Sequence, residues 1–302
     1  MSSRSKNKVF GINTWHLLCL LPLVLYSFYK NGIKVFISGQ ISMFTALQYL
    51  FIPMVIVTVS YLFEVYFFVG KKDKKDLNDV TNSFIPYANL LCYLVCGPND
   101  KLFIIIPLIF VIDIIMKVID GKFTINRVAL FKSLLFGILV LIGAYNNSNL
   151  YEVNASMQNV SLWNAFVGMR VGEIGTISNL LVILSFIVLL FNKYYKKDIA
   201  IIAFITYIIF SLFFVLMGTL NINEVLDNTF NSGIIFAIVF VLTLSESTPI
   251  LSGGRSIYAV LFGILSAIFI NVYNLYIGIY FIILGLSIIS PMINKLKISV
   301  YK

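Results

Sequence analysis

Residues 243–255 read TLSESTPILSGGR and interrupt one of the most apolar regions of the chain. Nine of the ten residues from Gly233 to Leu242 are apolar, and a further apolar run begins at Ile257. The stretch between them holds hydroxyl side chains, Glu246, a proline and two glycines, which end helices and favour turns. An apolar run of about 12 residues is too short to cross a bilayer as a helix, which takes roughly 20 residues. The pattern therefore predicts the irregular end of a broken membrane helix, with Pro249 stopping the helix and a tight turn at the two glycines.

Composition places the chain in a membrane. Its 302 residues are 60% hydrophobic and 12% charged, a balance that leaves too little polar surface for a soluble domain. Long apolar runs recur without the alternation of an outer-membrane barrel, so we predict an all-α, polytopic membrane protein that resides in the lipid bilayer of the cell membrane. We predict ten spans, at about 15–29, 43–69, 84–96, 102–118, 128–145, 176–191, 199–217, 233–244, 257–270 and 273–289.

The positions of the basic residues predict the orientation. The net charge of +9 does not indicate nucleic-acid binding, because the lysines and arginines lie between apolar runs, where they set topology. With cytoplasmic termini, 18 of the 22 basic residues fall in inner segments, among which we count Arg127 and Lys132. The outer segments then hold only Lys30, Lys34, Lys101 and Arg170.

Two of the ten spans are too short, and they hold matching places in the chain. The third, 84–96, follows Asn82-Ser83 and ends at Gly97-Pro98, whereas the eighth, 233–244, follows Asn231-Ser232 and ends in the opening stretch. Halves with five spans each must have opposite orientations, so the pattern predicts inverted repeats whose broken helices meet near the midplane. We divide the chain into a first half (1–145), an outer loop (146–175) and a second half (176–302). We expect residues 243–255 to lie in the interior on the cytoplasmic side, packed against Gly97-Pro98.

A second polar stretch, GMRVGEIGTISN at 168–179, stands where the outer loop enters the sixth span. Gly168, Gly172 and Gly175 free the backbone for a close approach. Thr176 or Ser178 is suited to cap the following helix, whose N-terminus would attract an anion such as phosphate. A loop with an ordinary helix cap explains the same residues.

The charged and metal-binding residue types leave several alternatives open. Asp113 is one helical turn from Lys117 and either pairs with it or lies on an ion pathway, and Arg170 is spaced to pair with Glu173. Arg255 suits a phosphate, a carboxylate ligand or an interhelical ion pair. With a single histidine and three cysteines, we expect no metal site. We also assign no catalytic residue.

Taken in order, these motifs resemble the NqrB/RnfD family, whose members are the related membrane components of the sodium-pumping NADH:quinone reductase and of the Rnf electron-transport complex. Residues 168–178 match the glycine spacing of the family pattern G-x-x-x-G-S-I-G-E-T-S. Residues 124–129 match the pattern N-x-F-N-P-A in part. The family pattern F-M-A-T-D-P-V-T-S-P-x-x-x-x-G-R is matched in register at Phe240, Thr243, Pro249, Gly254 and Arg255.

The resemblance implies FMN as a cofactor and other membrane subunits of an Rnf-like complex as partners. Family members bind FMN covalently through a threonine in the outer loop, but Asn159 stands at that place here and has no hydroxyl for a phosphoester. Ser156 and Ser161 are the nearest hydroxyls. The cofactor-binding residues that the resemblance and the loop chemistry suggest are Ser156, Ser161, Gly172, Gly175, Thr176, Ser178, Thr243 and Arg255.

Three functions are compatible with the sequence. The resemblance implies a subunit of a flavin-dependent electron-transport complex, in which ion translocation accompanies electron transfer in some members. Inverted five-span halves with broken helices also describe a small-solute transporter or channel similar to urea transporters. The third alternative is a membrane scaffold without redox activity.

Overall fold

The computed structural model describes residues 12–70, 84–98, 100, 102–119, 124–143, 161–170 and 172–295, which form helices and loops and contain no strand in those ranges. The helices are α1 Ile12–Ser27, α2 Val35–Ile37, α3 Met43–Gly70, α4 Ile85–Leu94, α5 Leu102–Ile119, α6 Arg127–Leu141, α7 Leu162–Val167, α8 Asn179–Leu190, α9 Lys197–Leu216, α10 Ile222–Asn231, α11 Ile234–Phe236, α12 Ser252–Asn271 and α13 Gly278–Lys295. Two π-helical segments, Phe28–Lys34 and Ala237–Val241, continue α1 and α11.

Each predicted span has a helix at its place, and the all-α, polytopic fold class is confirmed. Four of the described helices are long and apolar enough to cross a bilayer, namely Met43–Tyr66 within α3, and α5, α9 and α12. A fifth crossing is formed if α10 and Ile234–Val241, which meet at 59°, make one broken span. α4, α8 and residues Gly278–Ile293 of α13 are shorter apolar helices.

The eighth span differs from the sequence prediction. Its first part is α10, a polar helix that was not predicted, held at its start by a capping box between Asn221 and Glu224. The break lies at Gly233, which has a φ of 73° and allows the sharp change of direction. The second part, Ile234–Val241, is fully buried and turns π-helical, with the Leu242 N–H bonded to the Ala237 carbonyl at 2.8 Å.

The start of the ninth span also differs. The predicted tight turn at Gly253-Gly254 is wrong, because α12 begins at Ser252 and both glycines lie in its first turn. Helix α12 is therefore five residues longer at its start than its apolar run. The helix-breaking part of the opening stretch is confined to residues 242–251.

The chain forms two compact units, which are described separately. One comprises Met1–Leu90 and Ser185–Tyr194, and the other comprises Leu91–Leu184 and Tyr195–Lys302. Each unit takes segments from both predicted halves, and the inverted-repeat division stays a prediction. The Asn82-Ser83 pair that was expected to open the third span lies outside the described residues.

The first unit contains α1, α3 and the beginning of α4. Asn89 of α4 donates a hydrogen bond to the Ser60 hydroxyl of α3 at 2.9 Å, and His16 of α1 packs edge-to-face on Tyr87. Polar groups are thus paired between helices in an apolar interior, as expected where no water reaches them.

The second unit contains the ends of both short helices and the helices packed around them. Its largest interface joins α9 to α12, where Gly263 allows close packing: a Cβ added there would lie 2.7 Å from the Thr206 Cβ. Helix α6 is packed against α5 and α13. Both polar stretches identified in the sequence lie in this unit.

Candidate functional site

The carbonyl groups at the end of α4 are all bound by the protein itself. The Leu94 carbonyl accepts a hydrogen bond from the Gly175 N–H at 2.6 Å, and the Cys96 carbonyl accepts one from the Ile174 N–H at 2.8 Å. Between them, the Val95 carbonyl accepts from the Lys132 ammonium at 2.5 Å. These carbonyls have no partner in the helix and are buried, so they require such donors.

The loop at 172–178 reaches this end because Gly175 has no side chain. A Cβ on Gly175 would lie 2.7 Å from the Leu94 Cβ and 3.1 Å from both the Leu94 carbonyl and the Phe236 ring. The close approach predicted for this glycine therefore serves the chain's own two short helices, one ending at Leu94 and the other beginning at Ile234. Thr176 completes the contact by packing on Gly233.

A charged cluster lies beside the loop. The Lys132 ammonium contacts the Glu173 carboxylate at 2.8 Å, and the Tyr280 hydroxyl donates to the other carboxylate oxygen at 2.7 Å. Lys132 also lies 5.9 Å from the centre of the Tyr280 ring. The lysine side chain is 4% exposed and the glutamate side chain 16%. Sequence analysis counted Lys132 with an inner segment although it falls in the span predicted at 128–145; in the structure it lies in α6 and is buried.

The end of the second short helix is bound in a similar way. The Asn126 amide donates to the Val241 carbonyl at 2.8 Å and to the Ser247 hydroxyl at 2.9 Å. The Val239 carbonyl accepts hydrogen bonds from Thr243 and from Tyr195. The interior position predicted for the opening stretch is confirmed for Ser247 and Thr248, which are buried, and is wrong for Ser245, Ile250 and Leu251, which are exposed. Its packing against Gly97-Pro98 stays a prediction.

A second ion pair adjoins this end. Arg127 contacts Asp113 at 2.6 Å and Glu246 at 3.6 Å, and the Asp113 side chain is completely buried. Arg127, which sequence analysis counted with an inner segment, is the first residue of α6 and is buried. Asp113 is paired with Arg127, a partner that sequence analysis did not consider. The two alternatives given for Asp113, a pair with Lys117 and an ion pathway, stay predictions.

Helix α6 carries the groups that bind both helix ends. Asn126, its N-cap, binds the end of the second short helix, and Lys132 binds the end of α4. Six residues of α-helix rise about 9 Å, so the two anchoring positions are separated by less than two turns. The structure thus brings the ends of both short helices to one segment of one helix.

Arg255 and Lys196 form a third, more exposed group. Arg255 contacts Asp198 of α9 at 2.9 Å and donates to the Ile250 carbonyl. The interhelical ion pair is therefore the alternative that the structure shows for Arg255. Lys196 donates to the Thr248 hydroxyl, and burial together with the nearby Arg255 charge lowers the pKa of Lys196 to about 8.

The predicted site residues fall into separate groups. Gly172, Gly175, Thr176 and Ser178 share the loop before α8, where Ser178 accepts from the Leu181 N–H at 3.4 Å as the predicted cap. Thr243 and Arg255 are the first and last residues of the opening stretch. Ser161 is exposed and caps α7. Ser156 and Asn159 lie outside the described residues. Sequence analysis missed Asn126 and Tyr280 as partners, since neither pairing is local in the chain.

The loop before α8 does not fit the phosphate group of FMN. The Ile174 and Gly175 N–H groups bind carbonyls of the chain, the Ser178 hydroxyl donates to the Val167 carbonyl, and the Thr176 hydroxyl donates to the Glu173 carbonyl. The space at Gly175 is filled by Leu94 and Phe236. The donors expected to bind an anion are thus used to hold the loop in place.

Comparison with known proteins agrees with the motif order. The sequence model of the NQR2, RnfD, RnfE family matches residues 2–301, which is nearly the whole chain. No curated protein matches the chain.

Proposed function

The chain belongs to the NQR2, RnfD, RnfE family, and from this membership we propose that it is the membrane subunit of a flavin-dependent electron-transport complex. The family match over residues 2–301 carries this proposal, because it covers both polar stretches and all the helices around them. We propose that the chain assembles with other membrane subunits of an Rnf-like complex and that both termini are cytoplasmic.

In this complex, we propose that the chain supplies a fixed, charged core rather than a covalently bound flavin. Asn159 cannot form a phosphoester, and the loop at 172–178 uses its donors internally. The groups that its own residues position are the Lys132–Glu173 and Arg127–Asp113 pairs. Charged groups inside a membrane protein are expensive and commonly mark ion pathways, so ion translocation is the activity that this core supports.

The test is purification of the intact complex from its native membrane through an affinity tag on this chain. We expect Rnf-like subunits to co-purify and the complex to contain flavin. After denaturation, in-gel fluorescence should show no flavin on this chain. Isolation of the chain alone, without redox partners, would contradict the proposal and favour a solute transporter or channel.

The attachment of flavin is tested separately. If the denatured chain is fluorescent, Ser156→Ala and Ser161→Ala variants identify the carrier, since these are the hydroxyls nearest to Asn159. Fluorescence that persists in the double variant would show that another residue of the chain carries the flavin and that the loop is wrongly matched to the family pattern.

A further inference from the structure

The Lys132 ammonium occupies a position whose surroundings are those of a cation site. Its contacts include the Val95 carbonyl oxygen at 2.5 Å and a Glu173 carboxylate oxygen at 2.8 Å, with the Tyr280 ring beside it. Carbonyl and carboxylate oxygens are the ligands of hard metal cations, and the carbonyl end of an unwound half-helix is a recurrent place for them in membrane proteins. The end of α4 adds the negative end of its helix dipole.

These oxygens are held in place by bonds that do not involve Lys132. The Tyr280 hydroxyl fixes the second carboxylate oxygen of Glu173 at 2.7 Å. Ile174 and Gly175 follow Glu173 in the chain, and their N–H groups donate hydrogen bonds to the Cys96 and Leu94 carbonyls on either side of Val95. Removal of the lysine side chain should therefore leave the carboxylate and the carbonyl facing one another across a vacated volume.

We propose that Glu173 and the end of α4 form a binding site for a monovalent cation, and that the ammonium of Lys132 is its tethered occupant. The ammonium supplies one positive charge, as Na⁺ or K⁺ would. Without it, a carboxylate and a helix end of the same sign remain in the protein interior, near the further acidic residue Asp100, which is costly unless a cation enters or the carboxylate takes up a proton. This inference does not rest on the proposed electron-transport function.

The experiment compares the thermal stability of the purified Lys132→Ala and Lys132→Gln variants in NaCl, KCl and choline chloride at equal ionic strength and pH 8. We expect the apparent Tm of at least one variant to rise with Na⁺ or K⁺ over choline and then to saturate. At ten times the dissociation constant, the rise should be about 3–6 °C. The wild type and Lys132→Arg should not distinguish the salts, because their own cation fills the site.

Two controls show whether the response comes from this site. Lys197→Ala removes an exposed lysine at the start of α9 and should show no response to the cation. Adding Glu173→Gln to Lys132→Ala removes the carboxylate and should abolish the response.

Three outcomes would overturn the proposal. The first is that each variant has the same stability in all three salts. This includes the case in which only a lower pH stabilises the variants, which would show that a proton, and not a metal cation, replaces the ammonium. The second is a response that survives Glu173→Gln. The third is failure of both variants to fold in any of the salts, since a competent site would recover the missing charge from NaCl or KCl.

Discussion

Substitution of alanine for Gly175 tests whether the loop before α8 is a structural wedge between the two short helices. The added Cβ would lie 2.7 Å from the Leu94 Cβ, whereas carbon atoms in favourable contact lie about 3.5–4.0 Å apart. Something must move by roughly 1 Å. The Gly175 N–H is also bonded to the Leu94 carbonyl at 2.6 Å, so the two segments cannot separate without weakening that bond. Phe236 stands only 3.1 Å away and limits movement in its direction.

The expected cost combines two effects. Overpacking in a close-packed interior costs about 1–3 kcal/mol, and a weakened hydrogen bond adds about 0.5–1.5 kcal/mol. The free energy of unfolding should therefore fall by about 2–4 kcal/mol. At about 2–4 °C per kcal/mol, the apparent Tm of the detergent-purified variant should fall by at least roughly 4 °C.

The matched control is alanine at Gly137, which lies within α6 and has no atom within 4 Å of an added Cβ. That variant should keep or slightly raise the Tm, because alanine favours helix over glycine by about 1 kcal/mol. Equal Tm values for the wild type and the Gly175→Ala variant would refute the idea that the loop is wedged between Leu94 and Phe236.

Other predictions concern orientation, the opening stretch, the second ion pair and pH. A cysteine introduced at position 149 should react with an impermeant reagent from outside the cell and one at position 74 should not; the reverse pattern would invert the topology. Ser247→Leu should lower the apparent Tm because its buried hydroxyl binds Asn126, whereas Ser245→Leu at an exposed position should not; equal effects would show that burial is irrelevant there. Arg127→Met should lower the free energy of unfolding by about 3–5 kcal/mol because it removes the cation that contacts the buried Asp113 carboxylate at 2.6 Å, and adding Asp113→Leu should recover at least half; a further loss in the double variant would contradict this. The pKa of Lys196 is lowered to about 8 in the folded chain from its ordinary 10.5, so the wild type gains stability as the pH rises from about 8 to 10.5. Any stability advantage of Lys196→Met over the wild type should therefore shrink across that pH range. A constant difference in stability between the two would refute the lowered pKa.

The positions of the apolar helices could be predicted from sequence because each apolar run is long or sharply bounded. The errors occurred where a helix is not apolar. Helix α10 was missed since its polar face dominates its ten residues, and α12 begins in a serine–glycine segment that resembles a turn. Helix formation there depends on neighbours distant in sequence, which hydropathy does not reveal.

The charged site was harder to predict because its pairs are not local. Glu173 has Arg170 three residues away, and local spacing therefore suggested that pair. The folded chain binds the Glu173 carboxylate through Lys132 and Tyr280, which are 41 and 107 residues away, respectively. Lys132 did carry a usable signal, since it stands six positions after the N-cap of a helix that is mostly apolar beyond Arg127. Its position near the start of an apolar run instead led us to count it with a cytoplasmic segment.

Because α6 binds the ends of both short helices, it connects them mechanically. An α-helix is stiff over the roughly 9 Å between Asn126 and Lys132, so a force applied at one anchor is transmitted to the other with little loss. If α6 moves along its axis, the hydrogen bond from Asn126 to the Val241 carbonyl and the one from Lys132 to the Val95 carbonyl must both stretch at the same time. The two helix ends therefore cannot be released independently by movement of α6.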